Sequence, residues 1–209
     1  MSEHDAIARF ARETVIEPEH IARARQHALE LGAAPISAGV GAQCAVIAAA
    51  TDARSIIEIG TGAGVSGLWL LRGAPRAVLT TIDHEPEHLA AARQAFTHAR
   101  IPATRARLIT GRAADVLPRM NEASYDVVLV DADAENVLDY VEHGLRLVRA
   151  GGTVLVPRVL NGRVADPVAR DAVTSAYRTL LRETQDSPAV IAAISTIGEG
   201  LLQLTTVAD

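Results

Sequence analysis

The spacing of apolar positions changes character at residue 55. Before it, apolar residues recur at helical intervals. Ile7, Phe10, Ala11 and Val15 fall three to four residues apart and predict a first helix. Pro18 suits a first helical turn and opens a second helix, which runs to about Leu31 and stops at Gly32. Ala33-Ala34-Pro35-Ile36 reads as a connection. The alanine-rich run Ala38 to Ala50 predicts a third helix packed on a sheet. No strand pattern precedes Ser55, so residues 1–51 read as a helical cap rather than a second domain.

From Ser55 onward, short β-branched runs alternate with amphipathic stretches. Strands are predicted at 55–60, 77–83, 107–110, 125–131 and 153–156. The run Tyr125-Asp-Val-Val-Leu-Val-Asp131 is nearly continuous in apolar residues, as a strand buried on both faces requires. Helices are predicted at 65–73, 86–99, 135–149 and 167–183, with a short one ending near Met120; Asp166 is the expected cap of the 167–183 helix. Then the alternation breaks. Residues 189–195 and 201–207 are strands joined by Thr196-Ile-Gly-Glu-Gly200, too short a link for a crossover helix, so they form an antiparallel hairpin. The pattern predicts one α/β domain over 1–209: a helical cap and a mostly parallel seven-stranded sheet, over 55–207, closed by a C-terminal hairpin.

Composition narrows the partners. Hydrophobic residues make up 49% and charged residues 22% of 209, enough for one full core. The net charge of −5 argues against nucleic acid as a partner. No apolar run approaches the ~18 residues of a membrane span. The polar start Met1-Ser-Glu-His-Asp-Ala lacks the marks of a signal peptide, and a cytoplasmic location is expected. The single cysteine, Cys44, sits in an apolar helical run and reads as a buried, inert thiol.

The candidate chemistry lies in Ser55-Ile-Ile-Glu-Ile-Gly-Thr-Gly-Ala-Gly-Val-Ser-Gly67: strand, glycine turn, helix. Such a turn lets a ligand approach the backbone and aims free N–H groups of a helix N-terminus at it. Two ligands fit. Gly62-x-Gly64-x-x-Gly67 matches the dinucleotide fingerprint. The wider pattern Glu58-x-Gly60-x-Gly62-x-Gly64 puts a carboxylate at the strand end, where it suits a cationic ligand such as the methionine end of S-adenosylmethionine (SAM). Asp83, ending the second strand 23 residues after Gly60, is placed to accept hydrogen bonds from ribose hydroxyls in either case.

Four segments then occur in order: Glu58-Ile-Gly-Thr-Gly-Ala-Gly, Thr81-Ile-Asp-x-Glu-Pro-Glu, Tyr125-Asp-x-Val-x-Val-Asp-Ala-Asp133 and Gly162-Arg-Val-Ala-Asp-Pro167. With them the chain resembles the catechol O-methyltransferase-like family of SAM-dependent O-methyltransferases, in its small bacterial form, over about residues 30–207. The resemblance implies a Rossmann-like class I methyltransferase fold and the following contacts. Val40 covers the cofactor. Glu58, Gly60, Thr61, Gly62 and Ser66 hold its methionine end. Asp83 holds the ribose, with His84 beside the adenine and Arg112 and Ala113 at its edge. Asp131 and Asp133 lie between cofactor and acceptor. The product is S-adenosylhomocysteine, the partner a small-molecule methyl acceptor, and the assembly a homodimer, for which the apolar N-terminal helices could supply the interface.

The departures from the family matter as much. Metal-dependent members hold a divalent cation on an Asp ending strand 4 and an Asp-Asn pair ending strand 5. The first is Asp131; the other two fall on Pro157 and Arg158, and a hard cation needs oxygen ligands that neither supplies. The family's lysine base falls on Ala134. No metal is therefore expected. Arg158 is expected to replace it electrostatically, through a bidentate pair with Asp131, and to meet an acidic acceptor. Asp131, Asp133 and Arg158 are the candidate catalytic residues, with Asp133 or a histidine as proton acceptor. A non-catalytic SAM-binding protein and an NAD(P)-dependent oxidoreductase remain as alternatives; Arg158 paired and buried favours the binding protein, Arg158 turned toward the cofactor cavity the enzyme. His84-Glu-Pro-Glu-His88 matches a zinc-protease motif literally, but Pro86 puts His84 ahead of the helix. Trp69 reads as core, and Arg105 and Arg107 as solvated.

Overall fold

The short apolar and β-branched runs form strands, of which the central ones are buried on both faces and the outer ones partly exposed. These are β1 (Ser55–Ile59), β2 (Val78–Asp83), β3 (Ala106–Thr110), β4 (Tyr125–Val130), β5 (Val148–Pro157), β6 (Val190–Ser195) and β7 (Leu201–Thr206). The helices are α1 (Glu3–Thr14), α2 (Glu19–Glu30), α3 (Ala38–Ala50), α4 (Val65–Gly73), α5 (Pro86–His98), α6 (Ala113–Val116), α7 (Val137–Leu147) and α8 (Ala172–Gln185). The computed structural model describes residues 3–161, 163–185 and 187–207; the side chains of residues 3–5 and 8, and Gly162 of the Gly-Arg-Val-Ala-Asp-Pro segment, lie outside that description.

The strands form one sheet in the order β3-β2-β1-β4-β5-β7-β6. The first five are parallel, and β7 runs antiparallel to both β5 and β6. Alternate side chains feed two cores, as the two-residue period of a strand requires. Ile56, Leu79, Val127, Leu129 and Leu155 face the side covered by α2 to α5. Ile57, Ile59, Ile82, Val128, Val130 and Val154 face α7 and α8. Chain order reverses between β1 and β4, which opens a crevice at the carboxyl ends of the parallel strands.

Several expectations are corrected. The third helix packs chiefly on α4 rather than on the sheet: a Cβ at Gly41 would lie 2.2 Å from the Trp69 ring, and one at Gly73 2.0 Å from the Ala45 carbonyl oxygen. The last long helix starts at Ala172, not 167, and its first turn is held by Asp171, which accepts from the Thr174 amide and hydroxyl, each at 2.9 Å. Asp166 instead closes a turn on the Val168 amide at 3.0 Å. Arg178 fixes that turn by donating to the carbonyls of Val164 (3.0 Å), Ala169 (2.8 Å) and Asp166. β5 begins at Val148, absorbing the expected glycine turn, because its register against β4 shifts between Tyr125 and Val127 and Gly151 takes a φ of +72°. Arg105 is not solvated: it donates to the carbonyls of Ala74 and Ala77, both at 3.0 Å. Trp69 is buried, and its indole N–H donates to Glu17 at 3.3 Å. Cys44 is buried beside Glu58, and burial pushes its thiol up to about 12.

Candidate active site

A cavity of about 650 Å³ opens at the carboxyl ends of β1 to β5. The sheet brings to it residues far apart in sequence: Gly60, Thr61, Gly62 and Ser66 after β1, Asp83 and His84 at the end of β2, Arg112 and Ala113 after β3, Asp131 and Asp133 after β4, and Arg158 after β5. Eleven of the thirteen residues singled out from the sequence thus line one space. Val40 and Glu58 do not; they are 3% and 0% exposed.

The glycine turn divides its labour. Gly60, Gly62 and Gly64 all have positive φ, at +93°, +48° and +83°. A Cβ at Gly60 would sit 2.1 Å from the Asp131 carbonyl oxygen, and one at Gly64 3.2 Å from Ala92. A Cβ at Gly62 would meet nothing within 4 Å, so this glycine alone among the three faces open space. The turn is pinned from the neighbouring strand. Asp83 Oδ2 accepts from the Gly62 amide at 2.9 Å, and Oδ1 from the Glu85 amide at 2.9 Å.

Beneath the turn lies a buried polar chain. Thr81, the register partner of Glu58, donates its hydroxyl to Glu58 Oε2 at 2.6 Å. Its single hydrogen being used, Thr81 accepts from the Thr61 hydroxyl, also at 2.6 Å. Glu58 Oε1 has no hydrogen-bond partner among the described residues. Burial pushes the Glu58 carboxyl up to about 7; the hydroxyls of Ser66 and Thr81 pull against that shift, and the charge on Asp83 adds to it. The chain links a buried carboxyl to Thr61 on the cavity wall, with the Ser66 hydroxyl near enough to pull the carboxyl's pKa down.

The end of the cavity at β4 and β5 is built from side-chain pairs. An Arg158 Nη1 hydrogen bond meets Asp131, Nη2 donates to the Ala34 carbonyl of the cap connection, and Nε lies 3.6 Å from Glu199 on the β6–β7 turn. The expected bidentate pair is therefore replaced by a three-way bridge. Arg158 itself has φ of +66°, and its amide donates to the Gly200 carbonyl at 2.7 Å. Burial draws its guanidinium below the ordinary arginine value, while Glu199 and Tyr177 push it back; it stays cationic at neutral pH. Asp133 accepts from Tyr140 at 2.8 Å and from Asn136. Burial first, and then the bond to Asp133, push the Tyr140 phenol up to about 12, so it acts as a donor.

Sequence reasoning missed Asn136, Tyr140, His88 and Glu199. Asn136 and Tyr140 lie three and seven residues after Asp133, a helical spacing that could have grouped them. His88 lines the cavity with Nδ1 3.5 Å from Asp83, and His84 Nδ1 lies 3.8 Å from the other oxygen, so both histidines converge on Asp83. Among the described residues no three His, Cys, Asp or Glu side chains are grouped to hold a metal ion. Glu199 carried no local signal.

Known proteins resemble the chain along nearly its whole length. A protein from Mycobacterium sp. (strain KMS), described at the level of an O-methyltransferase, is 45% identical over 203 residues, covering 96% of this chain and 92% of its own. A Corynebacterium glutamicum protein of known structure superposes with a TM-score of 0.90 at 27% identity, covering 100% of this chain and 99% of its own. The O-methyltransferase TomG from Streptomyces achromogenes, solved in complex with SAM, gives 0.86 at 29% identity, with both chains covered fully (100%). The family model for O-methyltransferases matches residues 14–206, and the chain belongs to that family.

Proposed function

We propose that this enzyme transfers the methyl group of SAM to an oxygen of a small acceptor without a divalent metal, and that Arg158 stands where the cation would. SAM-dependent O-methylation follows from the family. The metal-free step rests on one observation: the Arg158 guanidinium already occupies the carboxylate of Asp131 inside the cavity. With Pro157 and Arg158 at the remaining positions and Ala134 in place of a lysine, the donor set suits an anion better than a hard cation.

The residues present fit the cofactor. Gly62 leaves open space beside the turn, and the carboxylates near the turn suit a cationic group. Gly60, Thr61, Gly62 and Ser66 would hold the methionine end. Asp83 would hold the ribose, since each oxygen spends one lone pair on an amide and keeps another. His84, Arg112 and Ala113 would flank the adenine. Glu58 would act from beneath, through Thr61 and Ser66, and Val40 from behind the wall. Bound SAM would supply a sulfonium methyl already activated for transfer.

The chain then has to align an oxygen and exclude water. Asp131 and Arg158 hold the acceptor end, and the Ala34 carbonyl ties Arg158 to the cap, which closes that end. Arg158 stays protonated, so it stabilises an anionic oxygen and removes no proton. The acceptor is therefore an acidic phenol or a carboxylate, or it gives its proton to Asp133, whose carboxylate is oriented by Asn136 and Tyr140. The non-catalytic reading draws on the Asp131 pairing; Arg158 also lining the cavity favours the enzyme.

The dinucleotide alternative gives way to the family assignment. We further propose a cytoplasmic homodimer joined through α1, because Ile7 and Phe10 are 61% and 73% exposed. No helix among the described residues is long and apolar enough to cross a membrane. The test is calorimetric titration with SAM and S-adenosylhomocysteine, with and without EDTA and Mg²⁺. Binding indifferent to both additions supports the reading. Methyl transfer abolished by EDTA and restored by Mg²⁺ overturns the metal-free step.

A further inference from the structure

Three groups at the acceptor end carry charge within one bridge: Asp131, Arg158 and Glu199. Two carboxylates face one guanidinium, so one negative charge is in surplus. The two carboxylates are held differently. Asp131 follows β4 directly, its side chain is 9% exposed, and its amide donates to the Ile59 carbonyl at 2.8 Å. Glu199 sits on the β6–β7 turn between two glycines of positive φ, its side chain is 59% exposed, and its only ion pair among the described residues is with Arg158 Nε at 3.6 Å. That distance is an ion pair without a hydrogen bond. The turn itself is fixed: Leu160 donates to the Glu199 carbonyl at 2.9 Å, and Gly198 packs against Ser37 and Val40. Glu199 does not line the cavity, so it reaches Arg158 from the solvent side while Arg158 faces inward.

We infer that Glu199 is a specificity-determining residue, which sets how strongly Arg158 attracts a negatively charged acceptor by competing for the same guanidinium from outside the cavity. The competition is electrostatic and leaves the acceptor's space untouched. Asp131 cannot yield, because it is buried and anchored to the strand end. Glu199 can yield, because its carboxylate is exposed and makes no hydrogen bond among the described residues. With Glu199 in place, the end of the cavity favours an oxygen of partial negative charge, such as a phenol near its ionisation point. With it neutralised, full anions gain.

This inference rests on the proposed role of Arg158, and the experiment separates the two. Benzoate and its neutral isostere benzamide are titrated into protein saturated with S-adenosylhomocysteine, for the native chain and Glu199→Gln, at low and high salt. The native protein is expected to bind benzoate weakly. Glu199→Gln is expected to bind benzoate about threefold to fivefold more tightly, as for removal of one exposed charge, with benzamide unchanged and the gain shrinking in high salt. Equal changes for both probes, or no change for either, would overturn the role of Glu199; no benzoate binding by either protein with S-adenosylhomocysteine bound would overturn the proposed role of Arg158, and the inference with it. Failure to bind S-adenosylhomocysteine at all would overturn the cofactor reading, and the inference with it.

Discussion

The two halves of the cavity are built from different materials. On the proposed cofactor side, the key carboxylate is held by backbone: both oxygens of Asp83 accept amide N–H groups, from Gly62 and Glu85. On the proposed acceptor side, the key groups hold one another: Arg158 with Asp131 and Glu199, Asp133 with Tyr140 and Asn136. Backbone partners are fixed by the fold and survive almost any substitution elsewhere. Side-chain partners can be exchanged one residue at a time. A family can therefore keep its cofactor and change its acceptor chemistry, and here a guanidinium stands at a position where the resemblance implied a metal ligand.

The largest effect separating the halves is expected at Asp83. Asp83→Ala removes two charge-assisted bonds that shape the glycine turn, together with the proposed ribose contact. At ~1.5–3 kcal/mol per bond to a charged group, cofactor affinity should fall at least a hundredfold. Calorimetry with S-adenosylhomocysteine measures this. An affinity within threefold of native would show that the turn does not depend on its neighbouring strand.

Arg158→Met should do the reverse. It should leave S-adenosylhomocysteine affinity within about threefold, while methyl transfer falls on the order of a hundredfold, the usual loss on removing one electrostatic stabiliser. It also leaves Asp131 buried without its partner, at a cost of about 3 kcal/mol in stability. The double variant Asp131→Asn/Arg158→Met should recover much of that stability and none of the transfer. Recovery of both would make the pair purely structural.

A smaller effect, visible only as pH dependence, is expected from Glu58. Its folded pKa of about 7 exceeds the ordinary glutamate value of 4.5. Below 4.5 the carboxyl is protonated in both folded and unfolded states and contributes nothing. Between 4.5 and 7 the unfolded chain releases the proton first, so stability falls as pH rises, and above 7 the loss is complete. The full loss is on the order of 3 kcal/mol. Glu58→Gln should abolish this slope in denaturant titrations of the cofactor-free protein between pH 4.5 and 8. An unchanged slope would place the titration elsewhere.

The same division explains what could be read in advance. β1 and β4 were legible because unbroken β-branched runs have few other ways to be buried, and Asp83 because an acid ending β2 sits beside the glycine turn in this topology. Arg105 was not legible: its partners are the carbonyls of Ala74 and Ala77, about thirty residues away. The start of α8 was misplaced for a similar reason, since Arg178 captures the carbonyls that a helix from 167 would have used. Glu199 shows the limit most clearly. Its turn was predicted from the shortness of the link Thr196-Ile-Gly-Glu-Gly200, yet its reach to Arg158 depends on β7 pairing with β5, a contact between distant segments.

The smallest effect tests the comparison inside the glycine turn itself. Gly62→Ala adds a methyl group where nothing lies within 4 Å, at a φ of +48°. The methyl fits, so the cost is conformational only, about 1 kcal/mol for an L residue held in the left-handed region. That loss should appear as a modest drop in denaturation midpoint with the cooperativity of unfolding intact. The same methyl projects into open space beside the cavity wall, where the methionine end of the cofactor is proposed to lie. Affinity for S-adenosylhomocysteine should therefore fall more than stability alone explains, by about tenfold. Stability lost with affinity unchanged would mean that this glycine serves the turn and leaves the ligand alone, and the methionine end would then have to be placed nearer Ser66.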